Sequence, residues 1–567
     1  MADDTDKAIR LAALENAVKY KGKPNAGAVL GSVLSKKPEL KDNKDEIAKL
    51  KKKVSCVADE IAGMSADEQQ EELDRHAGAT KQGPSSGDSR PADKDIFSFM
   101  DIGKGQEVIT AFPPGPEKYP HIGHAKALLL NHMLAKKHKG RFILRFEDTN
   151  PGTVKGEFYD IMLEDFKWLG ADWDELLYAS DHMQLFLDKA TELVESGQAY
   201  VCLCPADLIK EGRAKGEGCK CRDRSIEENR LLWSDFNKYE EGKAILRLKI
   251  DMEHKNSTMR DPAIFRIVEA RHPRHGKRHS AWPTYDLQNS IMDGYSGVTH
   301  RLRSKEFEMR NELQRYIQKA LGYAITDIYE FARFNMEGVL SSGRIIREKI
   351  ASGELIGWDD PTLTTIAALR RRGFLPEAIR NFVISTGITK SESTLTWDDL
   401  IVQNRRLLDK GCSRYFFVKG PKRIRIEDAP EVVAEHKLHP EMPEKGTRAL
   451  KSRQDFYIAE EDFQALEEGG LYRLMDCLNF TRSGDRLIFH SLEYSEYKGK
   501  GSRIMHYLPA DLGLVKATVM MPDKQLVEGL AEPMVEDISE GSVVQFERFG
   551  FVRLDDKRKL NFWYTHK

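Results

Sequence analysis

Two histidines flank a single glycine in the stretch PPGPEKYPHIGHAK, residues 113–126, which separates a proline-rich loop from a leucine-rich run. His121 and His124 lie about one helical turn apart at the start of a predicted helix, where free backbone N–H groups favour an anion. Imidazole groups at this place can donate hydrogen bonds to phosphate oxygens and stabilise charge that develops in a transition state. Gly123 lets a ligand approach the backbone, so the stretch predicts a site for a phosphorylated ligand.

Two simpler interpretations of the same histidines stay open. They could only cap the helix and face solvent, or they could bind zinc, although the sequence offers no third ligand nearby. A phosphate loop of the Walker type is excluded, because the stretch lacks the pattern G-x-x-x-x-G-K-[ST]. The stretch therefore indicates a nucleotide site of another kind.

The segments around this loop favour an α/β unit. EVITAF, residues 107–112, and RFILRF, residues 141–146, are typical of buried strands, and the apolar run 125–134 favours a helix between them. Strand, helix and strand in this order normally give a right-handed crossover and a parallel sheet. Glu147 directly follows the second strand, so we expect its carboxylate at the ligand crevice.

Four of the seven cysteines form a cluster in the sequence CLCPADLIKEGRAKGEGCKC. Cys202 and Cys204 are followed, after fourteen intervening residues, by Cys219 and Cys221. Four thiolates on one loop form a suitable tetrahedral set for a structural Zn²⁺, although two residues usually separate paired cysteines in such sites. The alternative is four reduced thiols. The odd number of cysteines argues against a disulfide framework and for a reducing compartment.

The chain as a whole is expected to be a cytoplasmic protein of several domains. Its 567 residues exceed the size of a single core. The near balance of 88 basic and 90 acidic residues neither requires nor excludes a nucleic-acid partner. No apolar run approaches the roughly 18 residues of a membrane helix, and the acidic start is unlike a secretion signal. We therefore expect no membrane partner.

The residue pattern changes several times along the chain. Residues 1–75 favour helices, and the following Gly-, Ser- and Pro-rich residues, 76–104, are typical of a flexible linker. Further on, Asp360 as N-cap, Pro361 at the first position and Gly373 after the last turn predict a helix. Towards the C-terminus, short alternating runs such as RYFFV and RLIFH predict β-barrels.

Four stretches in order along the chain resemble known proteins: PHIGHAK, FILRFEDTNP, WPTYDLQNSIMDGYSGVTHRLRSKEF and GWDDPTLTTIAALRRRGF. The first is similar to the HIGH signature of class I aminoacyl-tRNA synthetases. Together they resemble the glutamyl/glutaminyl branch, and within it the archaeal-type glutamyl-tRNA synthetases, across roughly residues 105–567. A match in order along most of the chain is poorly explained by chance.

The resemblance implies a Rossmann-like α/β catalytic domain in two halves, interrupted by an inserted domain that binds the tRNA acceptor end and contains the cysteine cluster. A helical bridge and anticodon-binding β-barrels follow. The implied boundaries are 105–194 and 282–350 for the catalytic halves, 195–281 for the insertion, 351–410 for the bridge and 411–567 for the barrels. The N-terminal helices form an appendage to this arrangement.

The resemblance also implies a reaction. Glutamate and ATP, with Mg²⁺, would give glutamyl-adenylate, and the glutamyl group would pass to the terminal adenosine of tRNA(Glu), with tRNA(Gln) as a second acceptor that archaeal relatives make plausible. We expect a monomer. One alternative is a glutaminyl-tRNA synthetase, but Glu147 lies where glutaminyl enzymes usually carry aspartate. The other is a catalytically silent tRNA-binding protein.

The resemblance assigns expected roles to individual residues. The expected catalytic residues are His121, Gly123, His124 and Arg344. The expected ATP-binding residues are Pro113, Pro114, Gly115, His121, Gly123, His124, Ser341 and Ser342. The expected substrate-binding residues are Glu147, Tyr285, Arg303 and Glu306. Two structural alternatives stay open, namely an ion pair of Glu147 with Arg145 or a loop lysine, and a half-buried aromatic position for Tyr285.

Two positions depart from the family pattern. Where the family usually carries an arginine that binds the side-chain carboxylate, this chain has Ala111. Because a buried carboxylate needs a partner, another cation is expected to replace it, either Arg303 or Lys118. The second signature usually contains a lysine that neutralises pyrophosphate, and this chain has Ser342 instead. Arg344 is the expected substitute, and a solvated basic helix is the alternative.

Overall fold

The computed structural model describes residues 2–19, 23–36, 44–65, 68, 69, 72, 73, 95–103, 105–340, 342–392 and 394–567. The chain divides into two compact units, Met1–Arg90 and Pro91–Lys567, at a point within the predicted linker. Residues 76–94 of that linker lie outside the described ranges. None of the described helices has both the length and the apolar character that crossing a membrane requires.

The described residues of the first unit include the helices α1 Ala2–Lys19, α2 Ala26–Lys36 and α3 Lys44–Ala62. Leu14, Val33 and Val54, one from each helix, are buried in a shared core. This core accounts for the helical spacing of apolar residues in the N-terminal sequence.

A five-stranded sheet forms the centre of the second unit. Its strands, numbered along the chain, are β1 Ile109–Phe112, β2 Arg141–Phe146, β3 Glu175–Tyr178, β8 His300–Ser304 and β9 Asp327–Phe331. Their order is β3-β2-β1-β8-β9, and every neighbouring pair is parallel. β1 and β2 are buried along their whole length apart from Arg141, as strands covered on both faces must be.

The helices of the catalytic halves lie between these strands in the chain or follow them. They are α4 Ile122–Lys137, α5 Glu157–Trp168, α6 Met183–Glu195, α9 Tyr285–Ser296, α10 Asn311–Ala320 and α11 Gly343–Ala351, followed by the bridge helices α12 Ile366–Arg372, α13 Pro376–Thr386 and α14 Trp397–Gly411. α4 buries Leu128 and Leu134 in one core with Phe142 and Phe146 of β2. A short parallel pair, β10 Asn335–Met336 with β11 Thr394–Leu395, joins the second catalytic half to the bridge.

The bridge helix α12 begins later than the sequence predicts. Thr365 caps it, because its hydroxyl accepts from the Ala368 amide at 3.1 Å. Asp360 instead accepts from the amides of Ile356 and Thr362, each at 3.0 Å, and so stabilises a buried turn ahead of the helix. The prediction of Asp360 as helix N-cap is therefore wrong, because an aspartate can cap a turn by the same hydrogen bonds.

The insertion between the catalytic halves contains a separate antiparallel sheet. Its strands are β4 Ala199–Cys202, β5 Ile245–Leu248, β6 Ala263–Ile267 and β7 Ala281–Pro283, in that order across the sheet, and the same segment contains helices α7 Ala206–Lys215 and α8 Ile226–Ser234. Leu246, Phe265 and Trp282 lie in one buried cluster. The same cluster contains Phe186 of α6, Leu287 of α9 and Leu313 of α10, so the insertion shares its core with helices of the catalytic halves.

The C-terminal residues form two seven-stranded sheets. The first contains β12 Arg414–Tyr415, β13 Phe417–Lys419, β23 Val515–Met520, β24 Leu526–Ala531, β25 Val543–Phe546, β26 Gly550–Asp556 and β27 Asn561–His566. The second contains β14 Pro421–Glu427, β17 Asp455–Ala459, β18 Leu471–Leu474, β19 Asn479–Ser483, β20 Arg486–Ser491, β21 Arg503–Met505 and β22 Leu508–Pro509. A hairpin, β15 Val432–Lys437 with β16 Thr447–Ser452, and the short helices α15 Glu460–Gln464 and α16 Tyr494–Tyr497 complete the region.

Each of these sheets closes into a barrel. The strand orders are β12-β25-β26-β27-β23-β24-β13 and β21-β18-β19-β20-β14-β17-β22. The two edge strands of the first sheet are separated only by Phe416, and those of the second only by His506 and Tyr507. Each pair of edges therefore forms one interrupted strand that completes the barrel, as the short alternating runs in the sequence predict.

Candidate active site

A cavity of about 840 Å³ opens at the carboxyl ends of β1, β2, β8 and β9, the edge at which parallel α/β sheets bind ligands. Its volume is in the range of sites that hold small molecules. The predicted site residues that line it are Pro113, Pro114, Gly115, His121, Gly123, His124, Glu147, Tyr285, Arg303 and Glu306. Ser342 and Arg344 do not line it, and Ser341 lies outside the described residues.

The two histidines form a reciprocal cap at the start of α4. The Nδ1 atom of His121 accepts a hydrogen bond from the Gly123 amide at 3.1 Å, and the Nδ1 atom of His124 accepts one from the His121 amide at 3.2 Å. Because each Nδ1 is an acceptor, each neutral ring carries its proton on Nε2. The cap therefore leaves one N–H donor on each imidazole at the wall of the cavity.

Both histidines are neutral at physiological pH. Burial, reinforced by the nearby cations Lys118 and Arg333, lowers the pKa of His121 to about 3. Burial and the neighbouring His121 lower the pKa of His124 well below its ordinary value. The pair can therefore donate hydrogen bonds to an anion, but it supplies no positive charge.

The glycine between the histidines is required by this cap. A Cβ atom on Gly123 would lie 2.9 Å from Cε1 and 3.0 Å from Nδ1 of His121, closer than real Cβ contacts. Any side chain there would push the His121 ring out of its capping position. The spacing of His121, Gly123 and His124 in the sequence is thus explained by the His121 ring, which folds back over the two residues that follow it.

The loop before α4 is held by the segment that precedes α12. The Ile122 amide donates to the Thr364 carbonyl at 3.0 Å, and the Ile366 amide donates to the Pro120 carbonyl at 2.9 Å. No sequence pattern indicated this pairing, since the two segments are more than 200 residues apart. It fixes the histidine loop against the start of the bridge.

Glu147 presents one free carboxylate oxygen. Its Oε1 accepts from Arg145 Nη2 at 3.0 Å and from Asn289 Nδ2 at 2.8 Å. Its Oε2 has no hydrogen-bond partner among the described residues, and the residue lines the cavity. The ion pair with Arg145, an alternative left open by the sequence, therefore occupies one oxygen and leaves the other for a ligand cation.

Tyr285 and Arg303 lie on the same side of the cavity. Tyr285 is the first residue of α9, and burial together with the Glu147 carboxylate raises the pKa of its phenol, so the hydroxyl remains a donor. Arg303 Nη1 donates to Gln314 Oε1 at 2.8 Å, and its Nη2 contacts Asn311. Its Nε has no hydrogen-bond partner among the described residues.

Arg344 lies away from the cavity. Its side chain is 80% exposed, and its Nη1 lies 3.8 Å from Glu348 on the same helix. Ser342 is the N-cap residue of α11 but makes no side-chain hydrogen bond there. The arrangement of Arg344 matches the solvated basic helix that was the alternative interpretation of this segment.

Other cations lie where the second signature meets the cavity. Lys118 and Arg333 line it, and Lys118 packs over the first residue of α11, since a Cβ on Gly343 would lie 3.1 Å from the Lys118 Cδ. Arg347 Nη1 lies 3.8 Å from the same position. Lys118 thus lies at the wall of the cavity beside the start of α11.

Arg301, Asn289 and Asp293 belong to the site but were not predicted from the sequence. Arg301 lines the cavity and contacts both Asn289 and Asp293, which project from α9. The available signal was the spacing of Arg301 and Arg303, because residues two apart in a strand point to the same face. The two residues of α9 carry no such signal in the sequence.

The four cysteines of the insertion come together after β4. Their Sγ atoms all lie within 4.8 Å of one another, with 3.7 Å between Cys202 and Cys219 and between Cys204 and Cys221. Four sulfurs bound at about 2.3 Å to a tetrahedral Zn²⁺ would be about 3.8 Å apart, so the set fits this ion. Arg247 Nη1 lies 3.8 Å from the Cys219 sulfur, where it can balance thiolate charge.

Comparison with known proteins gives matches along almost the whole chain. Residues 107–410 match the family described as tRNA synthetases class I (E and Q), catalytic domain. Residues 412–488 and 504–555 match two families described as tRNA synthetases class I (E and Q), anti-codon binding domain.

Three similar proteins are glutamate–tRNA ligases. The one from Methanothermobacter marburgensis is 38% identical over 557 residues, and the one from Pyrococcus furiosus is 38% identical over 577; each alignment covers 98% of both chains. The one from Korarchaeum cryptofilum is 37% identical over 587 residues, and this alignment covers 100% of both chains.

Proposed function

The chain belongs to the class I tRNA synthetases of the E and Q family, and from this premise we propose that it is a glutamate–tRNA ligase. The observation that carries the proposal is the composition of one cavity. It joins two imidazole N–H donors, which suit phosphate oxygens, to a free oxygen of Glu147, which suits an ammonium group. A site of this kind can hold ATP and an amino acid side by side.

In the first step the α-carboxylate of glutamate attacks the α-phosphorus of ATP, which arrives with Mg²⁺. A new P–O bond forms, the bond to the β-phosphate oxygen breaks, and pyrophosphate leaves. The Nε2–H groups of His121 and His124 bind phosphate oxygens as their negative charge rises. Pro113, Pro114 and Gly115 shape the loop that receives ATP, and most of the rate enhancement comes from positioning and charge stabilisation.

The pyrophosphate side of the cavity takes its positive charge from the histidine loop and its surroundings. We propose Lys118 as the principal cation, assisted by Arg333 and Arg347, because Lys118 and Arg333 line the cavity and Arg347 adjoins the start of α11. Ser341 and Ser342 stay predictions from the sequence, since Ser342 does not line the cavity and Ser341 lies outside the described residues. This assignment replaces Arg344, whose side chain points into solvent.

In the second step a ribose hydroxyl of the terminal adenosine of tRNA(Glu) attacks the activated carbonyl carbon, and AMP leaves. Glu147 holds the glutamyl ammonium group during both steps, and the Tyr285 hydroxyl contacts the substrate beside it. Glu306 lies at the ATP side, where it pairs with Arg333 at 3.1 Å. Neither step needs a protonated histidine, which agrees with the neutral state of both rings.

We further propose that Cys202, Cys204, Cys219 and Cys221 bind a structural Zn²⁺. The ion would join the end of β4 to the segment after α7 and so stabilise the insertion that receives the acceptor end of tRNA. The close approach of the four sulfurs supports this assignment. Reduced thiolates also fit the cytoplasm as the place of action.

The C-terminal barrels are proposed to bind the anticodon, in line with the described function of the two families that match them. tRNA(Gln) is included as a second proposed acceptor. We propose that the enzyme acts as a monomer.

ATP–pyrophosphate exchange with tRNA present tests the proposal. The purified protein should incorporate labelled pyrophosphate into ATP when glutamate is added, and His124→Ala should reduce the rate without reducing tRNA binding. A protein that binds tRNA but catalyses no exchange would instead be a silent tRNA-binding protein, and the proposal would be wrong.

A further inference from the structure

Three arginines converge beneath the cavity from the two strands that flank β1. Arg145 comes from β2, and Arg301 and Arg303 come from β8. Arg145 Nη1 binds Asp293 Oδ1 at 2.9 Å, and Arg301 contacts the other oxygen of the same carboxylate. All three side chains are largely buried, so water compensates little of their charge.

The positive charge of this group exceeds its negative charge. Arg145 and Arg301 are balanced by Asp293 and Glu147, but Arg303 forms hydrogen bonds with neutral groups, namely the amides of Asn311 and Gln314 and the Tyr285 hydroxyl. The two further carboxylates in the neighbourhood are each in contact with another cation. Asp286 pairs with Arg310, and Glu330 pairs at 2.6 Å with Lys390, which also pairs with Glu308.

Burial and the neighbouring Arg303 and Arg145 lower the pKa of Arg301 well below its ordinary value, as expected for cations crowded without enough anions. An anion that entered the cavity would relieve this crowding. The cluster is therefore arranged for a bound carboxylate.

Ala111 makes this convergence possible. β1 lies between β2 and β8, and the pairing of Thr110 with His300 places Ala111 beside Arg301 in the next register position. Ala111 is fully buried. Because its side chain is a single methyl group, the guanidinium groups of Arg145 and Arg301 can both reach Asp293 across β1. A long side chain at this position would occupy the space that they share.

Arg301 has hydrogen-bonding capacity left for a ligand. Its guanidinium contacts Asn289 and Asp293, while its Nε has no hydrogen-bond partner among the described residues. The Nε of Arg303, which lies two residues further along the same face of the strand, also has no hydrogen-bond partner among the described residues. Both arginines line the cavity. Two guanidinium groups that face one cavity can bind a carboxylate through several charge-assisted hydrogen bonds.

Asn289 connects this group to the site of the substrate ammonium. It donates to Glu147 Oε1 at 2.8 Å and accepts from Arg301. The acceptor for the ammonium group and the cation are thus linked through one buried amide. An amino acid with an acidic side chain would place its two charged ends on groups that already contact each other.

We propose that Arg301 is a specificity-determining residue that binds the side-chain carboxylate of glutamate, with Arg303 beside it. This inference rests on the proposed function and deepens it. The cation comes from β8 and reaches over Ala111, instead of coming from β1. Glutamine is rejected because a neutral carboxamide leaves the excess buried positive charge without an anion.

Arg301→Gln tests the inference, because it removes the charge and keeps a polar side chain. We expect the KM for glutamate to rise about 100-fold, as for loss of a buried charge-assisted pair, while the KM for ATP stays within about twofold. The ratio of kcat/KM for glutamate over glutamine should fall by at least about tenfold. Arg372→Gln is the matched control, since Arg372 is also a buried arginine but binds the carbonyls of Pro361 and Thr565 and does not line the cavity. Its KM for glutamate should stay within about threefold.

Two more variants keep the test valid if Arg301→Gln does not fold. Arg301→Lys keeps a positive charge next to Asp293, and should raise the KM for glutamate about tenfold at an unchanged kcat. The double variant Ala111→Arg with Arg301→Ala moves the guanidinium from β8 to β1, and should recover at least about tenfold of the activity that Arg301→Ala loses.

Thermal melting identifies which variants are folded. A folded Arg301→Gln or Arg301→Lys with the wild-type KM for glutamate would overturn the inference and leave the proposed function intact. Absence of glutamate activation by the wild-type protein would overturn the proposed function itself. The two failures are therefore distinguishable.

Discussion

His121→Asn separates the two roles that His121 has in the structure. Asparagine is among the best N-cap residues, so its side-chain oxygen can replace Nδ1 as acceptor at the start of α4, and the free energy of unfolding should change by less than about 0.5 kcal/mol. The Nε2–H donor, however, disappears. Loss of one preorganised donor to transition-state charge costs about 3–4 kcal/mol, so kcat for ATP–pyrophosphate exchange should fall by about 10²- to 10³-fold.

His121→Ala is the matched variant, because it loses both the cap and the donor. It should show the same fall in kcat and, in addition, a loss of about 1 kcal/mol in the free energy of unfolding. Urea denaturation measures the stability, and exchange at saturating glutamate, ATP and tRNA measures kcat. If His121→Asn were folded and kept the wild-type kcat, the histidine would only cap the helix, and the reasoning about charge stabilisation would be refuted.

Three further perturbations follow from the structure. Burial lowers the pKa of both His436 and His506 to about 4. Below a pH of about 6.5 the unfolded chain therefore takes up protons that the folded chain does not. Lowering the pH from 7 to 5 should thus reduce the free energy of unfolding by about 1–2 kcal/mol for each of these histidines. Urea titrations at the two pH values measure this, and equal stability at both would contradict it. Cys219→Ser should reduce the bound zinc well below about one ion per chain, measured by elemental analysis; unchanged zinc would show that the cluster is not the site. The guanidinium of Arg371 binds both oxygens of Asp555 in β26, at 3.0 and 2.7 Å. Arg371→Ala should therefore lower the free energy of unfolding by about 1–2 kcal/mol. An unchanged urea midpoint would show that this pair does not join the bridge to the barrel.

Elements with a strong local pattern could be predicted from the sequence. RFILRF is the strand Arg141–Phe146, and Gly373, which adopts a φ of 90°, ends the bridge helix at the predicted residue. In both cases the information is local, because burial on two faces selects an apolar run and a left-handed backbone selects glycine. The same holds for the histidine loop, where spacing alone indicated a helix N-terminus with two donors.

Side-chain directions and long-range partners could not be predicted in the same way. Arg344 follows the second signature in the sequence but points into solvent, whereas Lys118, from a loop more than 200 residues earlier, lies over the start of α11. Arg301 is important only because Ala111 lies on the neighbouring strand, and this relation depends on the register of the sheet. Such contacts are set by tertiary packing, and no local pattern reports them.

Aminoacylation of purified tRNA(Glu) with radiolabelled glutamate, run in parallel with radiolabelled glutamine, tests the central claim most directly. The account predicts that the wild-type protein attaches glutamate to the tRNA, and that glutamine gives no product, because the buried arginines of the cavity require an anionic side chain. Charging by glutamine alone, or by neither amino acid in a folded protein that binds tRNA, would contradict it.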